Sequence, residues 1–245
     1  MRDFFTRIDE DGSVINIETD PNAYGYSNRY SWLLSVFIKF DASNNNSDGF
    51  EEFLETKESL IITLEHDEQA KYVGSRVVDG WSELYFYARD SKGLDNIAAK
   101  ILTSNSYLHE SNVVRDTKWD FHHKYLTPTE LELCHIQSDK IIYLLEEEGD
   151  DLEVPRDVEH YVSFTTPTQK SRFLDTLALE GFHFKDEISS DEFENGVALI
   201  KEHAVTAQEV KKVVEELFEA IKQEQGYYEG WSTTLVNEED ECLKS

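Results

Sequence analysis

Between His160 and Val236 the sequence switches repeatedly between a two-residue and a three-to-four-residue apolar rhythm, and the order of those switches limits the fold to few topologies. His160-Tyr161-Val162-Ser163-Phe164 alternates and is rich in β-formers, so it reads as a strand. In Thr166-Pro167-Thr168-Gln169, Thr166 suits a helix N-cap, Pro167 the first helical position and Gln169 the closing residue of a capping box. Phe173, Leu174 and Leu177 then form a helical stripe that Gly181 stops. Phe182 to Asp186 is a second strand, and Asn195-Gly196 turns into a third, Val197 to Ile200, apolar on both faces. Thr206-Ala207-Gln208-Glu209 is another capping box, and Val210, Val213, Val214, Leu217, Phe218 and Ile221 mark a buried helix face ended by Gly226. Tyr227 to Val236 is the last strand.

The order is β-α-β-β-α-β. With right-handed crossovers it folds as a split βαβ, or ferredoxin-like, sandwich, with the first and third strands central. The second strand is then an edge, and it carries the charges an edge needs, at Lys185, Asp186 and Glu187.

The first half reads the same way after an extra hairpin. Phe4 to Thr19 turns at Asp9-Glu10-Asp11-Gly12, which lacks the ligand spacing and bidentate Glu of a calcium loop. Ser31 to Phe40 is a strand with Leu34, Val36, Ile38 and Phe40 on one side. The polar loop at residues 43–47 leads to a helix with Phe50, Phe53, Leu54, Ile61 and Leu64 on its apolar face. Tyr72 to Val78 and Trp81 to Ala88 form a hairpin around Asp79-Gly80. A short helix at Leu94, Ile97, Ala98 and Ile101 and a strand from Tyr107 to Val114 close the unit. The expectation is an α+β protein of two ferredoxin-like sandwiches in tandem, the first with an N-terminal hairpin. The boundary falls near residue 130, giving domains 1–130 and 131–245. Thr127-Pro128-Thr129-Glu130 caps the helix that opens the second.

Charge bears on partners rather than on fold. The chain of 245 residues has a net charge of −28, of which −17 falls in residues 136–245. Such a surface repels phosphate backbones and anionic lipid and attracts basic partners. No direct nucleic-acid or membrane binding is expected. Two cysteines, Cys134 and Cys242, give neither a disulfide framework nor a zinc site. The N-terminus has no signal-peptide core and no run reaches the length of a membrane span, which predicts a cytoplasmic protein.

Motifs for catalysis are sparse. Phosphate loops, nucleotide fingerprints and serine-hydrolase signatures are absent. His122-His123, taken as neighbours on a strand, point to opposite faces and do not share a metal. His160, His183 and His203 lie on or near strands of one sheet, where they can converge. No cofactor or metal is expected.

Two segments remain as partner-binding candidates. Tyr227, Tyr228, Glu229, Gly230 and Trp231 place aromatic anchors and an acid on a strand suited to an Arg-rich ligand. Alternatively, Trp231 packs beneath a helix and Gly230 makes a bulge. Asp150, Asp151 and Glu153 belong to an acidic run at the negative end of a helix dipole, an unfavourable site for carboxylates.

Asp150-Asp151-Leu152-Glu153-Val154-Pro155-Arg156-Asp157-Val158-Glu159-His160 and Gly226-Tyr227-Tyr228-Glu229-Gly230-Trp231 resemble the bacterial regulator of ribonuclease E activity B, RraB, over residues 137–240. Tyr227 stands where that family commonly has an acidic residue, and Glu229 where it has Asp. The resemblance implies a non-catalytic, acidic modulator whose partner is the basic non-catalytic region of ribonuclease E. Residues 1–130 resemble a bacterial domain family of unknown function through Tyr72-Val73-Gly74, Glu83-Leu84-Tyr85-Phe86-Tyr87 and Trp119-Asp120-Phe121. The competing reading is a metal-assisted hydrolase with an Asp/His site between the domains.

Overall fold

A computed structural model describes residues 2–9, 11–40, 47–176, 181–189 and 195–237. Glu10, residues 43–46, Leu177, residues 238–241 and Cys242 lie outside the described residues. The chain divides into two compact units, residues 1–128 and 129–245.

The first unit contains strands β1 (Asp3–Ile8), β2 (Val14–Thr19), β3 (Trp32–Lys39), β4 (Ala70–Val78), β5 (Trp81–Ala88) and β6 (His109–Arg115). Its helices are α1 (Ser47–Glu65), α2 (Leu94–Ser104) and α3 (Asp120–Tyr125). The sheet order is β1-β2-β4-β5-β3-β6, with all neighbours antiparallel. Without β1 and β2 this is the split βαβ order, with β3 and β5 central. The extra hairpin extends the sheet beyond β4. Asp79 and Gly80 join β4 to β5 with φ of 51° and 71°, the primed turn that matches strand twist.

Leu34, Val36, Ile38, Leu84 and Phe86 meet Phe53, Leu60, Ile61 and Leu64 of α1 in one apolar cluster. Two residues expected there are half out of it: Phe50 is 43% exposed and Leu54 44%. Leu54 is turned about 100° from Phe53 around the helix, and Phe50 lies in the first turn, beside Phe40. Leu60 is the core residue the sequence reading missed.

The other face of this sheet is also covered, which a two-layer sandwich does not provide. Trp119 is fully buried, stacks on Tyr87 at 3.8 Å and donates its indole N–H to the Tyr30 carbonyl at 2.7 Å. Phe121 packs on Tyr85. Asp116 accepts from the Tyr87 hydroxyl at 2.6 Å and from the amides of Asp120 and Phe121 at 3.0 Å, which fixes the start of α3. His122 and His123 therefore lie on a helix and not on a strand. His122 is buried and burial lowers its pKa to about 4, with the neighbouring His123 adding to the effect.

The second unit contains α4 (Glu130–Glu147), β7 (Arg156–Ser163), α5 (Pro167–Thr176), β8 (His183–Ile188), β9 (Gly196–His203), α6 (Ala207–Gln223) and β10 (Tyr227–Thr233). The sheet order β10-β7-β9-β8 is that of the ferredoxin-like sandwich. Val158, Val162, Val197, Leu199, Tyr228 and Trp231 point to one face. There they meet Cys134 and Ile142 of α4, Phe173 of α5, and Val210, Val214 and Leu217 of α6. Residues of the opposite parity on β7, β8 and β9 are not in this cluster.

The helix starts are chemically explicit. Thr129 and Glu132 form a reciprocal capping box, as do Thr166 and Gln169. Thr206 accepts from the Glu209 amide at 3.3 Å. The end of α6 corrects an expectation. The left-handed residue is Gln225, with φ of 56°, and Gly226 follows it. Gly226 is required by packing: a Cβ there would lie 2.5 Å from Phe164 Cε1 and 2.8 Å from Ile221 Cγ2.

Two adjacent substitutions therefore have opposite signs. Gly226→Ala overpacks the core and is expected to cost about 1–3 kcal/mol. Gln225→Gly removes a left-handed side-chain penalty and is expected to gain up to about 1 kcal/mol. Urea unfolding of the two variants checks both.

Candidate functional site

Strand β10 holds the first candidate segment, and alternation divides it into two populations. Tyr227 and Glu229 are exposed, whereas Tyr228 and Trp231 are 8% and 4% exposed and belong to the core. Trp231 donates its indole N–H to Ser138 Oγ of α4 at 3.1 Å. The ladder with β7 slips between Tyr228 and Gly230. Gly230 has φ of 117°, a value that side-chain-bearing residues rarely adopt, so the bulge at Glu229 depends on glycine. Without the bulge, Tyr228 and Trp231 would face opposite sides of the sheet. Two of the three aromatic rings expected as surface anchors are thus turned inward, as in the alternative reading of a packed Trp231 and a bulge at Gly230, and Tyr227 remains the aromatic on the surface, with Lys222 Nζ 5.0 Å from its ring centre.

The buried side of β10 contains a polar chain. Tyr228 OH lies 2.9 Å from His160 Nδ1, His160 Nε2 lies 3.1 Å from His203 Nε2, and His203 Nδ1 lies 2.7 Å from the Ala204 carbonyl. A carbonyl only accepts, so His203 carries its proton on Nδ1. His160 then donates from Nε2, and Tyr228 donates to His160 Nδ1. Every member is satisfied with both rings neutral. Burial drives the His160 pKa down to about 3, with the neighbouring His203 and Lys201 acting in the same direction. Burial also lowers that of His203. His183 is exposed on β8 and takes no part.

The second candidate segment is tied to the first. Arg156 is buried, and each of its five N–H donors has an acceptor. Two bonds of 2.7 Å reach the Asp150 carboxylate; the others reach the carbonyls of Thr234 at 3.0 Å, Asp151 at 2.6 Å and Val154 at 3.2 Å. Asp150 also accepts from the Val236 amide at 2.8 Å, and the Asp151 amide donates to the Val236 carbonyl at 2.8 Å. The loop before β7 is thereby fastened to the chain leaving β10. Burial opposes ionisation of Asp150, but the bonds from Arg156 and Val236 prevail and lower its pKa. The acid that looked misplaced beside a helix dipole is an internal counterion, with no side-chain surface exposed. Asp151 and Glu153 are exposed, and Asp151 accepts from the Glu153 amide at 3.1 Å in a local turn.

The outward face of this sheet is the feature the sequence reading did not assemble. It presents Asp157, Glu159, Tyr161, Asp186 and Glu202. Glu159 pairs with Lys185 and, at 3.3 Å, accepts from Tyr161 OH, which also lies 2.7 Å from Ser232 Oγ. Glu229 accepts from Ser163 Oγ at the bulge. Asp157 stands directly opposite Glu202 on the neighbouring strand, and among the described residues neither has an ion-pair partner. Direct opposition of like charges on adjacent strands is unfavourable.

Among the described residues there is no group of three or more His, Cys, Asp or Glu arranged to hold a metal ion. Cys134 is buried in the core, and burial raises its pKa to about 11.

Residues 2–127 match the model of a family of unknown function, DUF695, and residues 135–233 match that of Regulator of ribonuclease activity B, RraB. The chain belongs to the DUF695 family and carries an RraB domain. The first match spans just over half of the chain. No curated protein and no solved structure matches it. RraB is by its description a regulatory family. The RraB match includes both candidate segments. Within the DUF695 match, two of the quoted motifs, Glu83 to Tyr87 and Trp119 to Phe121, pack on one another through Tyr85, Tyr87, Trp119 and Phe121. No helix of the described residues is long and apolar enough to cross a membrane.

Two stability predictions follow from the RraB domain. Asp150→Ala leaves the buried Arg156 without its counterion and is expected to cost about 3–5 kcal/mol, read by urea unfolding. His160 ionises far less readily when folded than its ordinary value near 6.5. A group with a depressed basic pKa supports the fold fully above that value and withdraws support as pH falls below it. Unfolding free energy is therefore expected to drop steeply from about pH 6.5 toward pH 4, and the slope should flatten in His160→Gln.

Proposed function

We propose that the RraB domain binds a basic, Arg-rich protein segment and so regulates a ribonuclease in the cytoplasm without chemistry of its own. The binding surface is the outward face of its sheet, continued by Glu229 and Tyr227 on β10. Asp151 and Glu153 lie at the far end of that strand. The observation that carries this reading is the opposition of Asp157 and Glu202. Two directly opposed carboxylates without an ion-pair partner among the described residues weaken the fold slightly and form a receptor for one guanidinium. Tyr227 supplies an aromatic surface on which a second Arg can stack. A basic non-catalytic region, as in ribonuclease E, is the partner chemistry that the RraB resemblance suggests.

The earlier candidates divide accordingly. Tyr228, Gly230, Trp231 and Asp150 shape the surface, and Tyr227, Glu229, Asp151 and Glu153 are available to a partner. Trp231→Ala is consequently a probe of folding rather than of binding.

The test uses an Arg-rich peptide labelled for fluorescence anisotropy. Affinity is expected to fall steeply as salt rises. The paired change Asp157→Lys with Glu202→Lys should weaken binding tenfold or more, and Glu202→Lys alone should raise stability by about 0.2–1 kcal/mol. Salt-independent affinity, or an affinity untouched by the paired reversal in a folded protein, would rule this surface out.

A further inference from the structure

Lys185 stands on β8, at the edge of the second sheet, and is paired with Glu159 of β7. The two strands are not neighbours, because β9 lies between them. Lys185 therefore folds back across β9 to reach its partner. A lysine that only discourages strand pairing directs its charge off the edge, so this route calls for another explanation.

Two local features open the route. The ladder between β8 and β9 shifts at this point: Phe184 is opposite Leu199, Asp186 is opposite Ala198, and Lys185 is the inserted residue. Lys185 can then share the outward face with Asp186 rather than alternate with it. The β9 residue between Tyr161 and Asp186 is Ala198, which has nothing beyond Cβ to obstruct a lysine stem. Ala198 is 3% exposed although it belongs to the open face. The hydrogen bond to Glu159 raises the Lys185 pKa, and the charges of Glu159 and Asp186 act in the same direction, so the cation persists through the neutral range.

We propose that Lys185 is a tethered competitor, which occupies Glu159 on the outward face until an arginine of the basic partner displaces it. This rests on the reading of that face as the partner surface and adds the regulation of one of its acids. Asp157 and Glu202 receive a guanidinium directly, whereas Glu159 must first be vacated. A guanidinium offers a carboxylate two parallel bonds and an ammonium a point charge, so the exchange favours arginine. The pair that has to open is exposed and therefore weak, a factor of roughly two to five in population. Apparent affinity is lowered by the fraction of molecules in which Glu159 is free.

The test titrates the full chain into a fluorescein-labelled oligo-arginine peptide and reads anisotropy. Lys185→Met keeps the stem and removes the cation, and it is expected to bind roughly two- to fivefold more tightly than the parent. Lys185→Gln should match it. Loss of any lysine makes the chain more acidic, so Lys212→Met, at an exposed position on α6, is the charge control and should gain little. In a Glu159→Gln background, Lys185→Met should gain no more than that control, since no carboxylate is released. Circular dichroism establishes that each variant is folded. The proposal is overturned if folded Lys185→Met and Lys185→Gln bind no more tightly than Lys212→Met, or if their gain persists with Glu159→Gln. The paired change Asp157→Lys with Glu202→Lys, run beside them, separates the two readings. If it weakens binding while the Lys185 variants behave like the control, the surface stands and the competitor falls. A peptide that binds neither the parent nor any variant removes both.

Discussion

The guanidinium of Arg156 fixes the geometry on which the second unit depends. It stands at the first residue of the central strand β7 and has no unsatisfied donor. Its acceptors come from the loop before β7 and from the chain that leaves β10. Two stretches more than seventy residues apart in sequence are thereby held to one end of the sheet. A buried charge is costly unless every donor is used, and here the arrangement that satisfies the charge also sets the position of β10 beside β7. The position of β10 in turn places Tyr228 over His160 and Trp231 against Ser138. The acidic loop and the last strand therefore form one structural feature, although they were separate motifs in the sequence.

Much of this fold was legible because its signals are local. Capping boxes at Thr129 and Thr166, the N-cap at Thr206 and the apolar faces of α1 and α6 act over one or two turns, and β9 announces itself as a central strand by its continuous apolar run. What the sequence left open between two readings depends on a single residue of register. Tyr227-Tyr228-Glu229-Gly230-Trp231 reads as a mixed surface segment if strict alternation is assumed. The bulge inserts one residue, so Tyr228 and Trp231 share the inner face although three positions apart. Gly230 was the available signal, since only a position with φ of 117° makes a glycine obligatory there. The pairing of Asp157 with Glu202 was invisible for a different reason. It depends on the register between strands that a helix and another strand separate in sequence.

In the first unit the missing information was a backbone conformation. Trp119 enters α3 at a φ of 59°, which no propensity scale assigns to tryptophan. The stacking on Tyr87, the bond to Tyr30 and the three bonds to Asp116 together hold it there. That turn folds the segment after β6 back over the sheet and converts a two-layer sandwich into three layers. Tyr85 and Tyr87 make a second buried parity on β5, and no local signal in the sequence says what covers it.

The distribution of ion pairs separates charges that serve the fold from charges that do not. On the helical side of the second unit, Lys222 meets Glu130 at 2.6 Å, Arg172 meets Glu224 at 2.8 Å and Lys201 meets Glu216 at 3.0 Å. The scarce cations of this half are thus largely engaged near the helices, and Lys185 is the lysine that reaches the outward face. Exposed pairs contribute little to stability, so this allocation is not explained by the strength of individual bridges. Its effect is to leave the outward face with net negative potential. Carboxylates solvated on an open sheet face exert a weak attraction in bulk water. The same groups act far more strongly on a cation that lies flat against the sheet and excludes water from between them. A rigid sheet holds them at fixed spacings before any ligand arrives, so the cost of ordering falls on the partner alone.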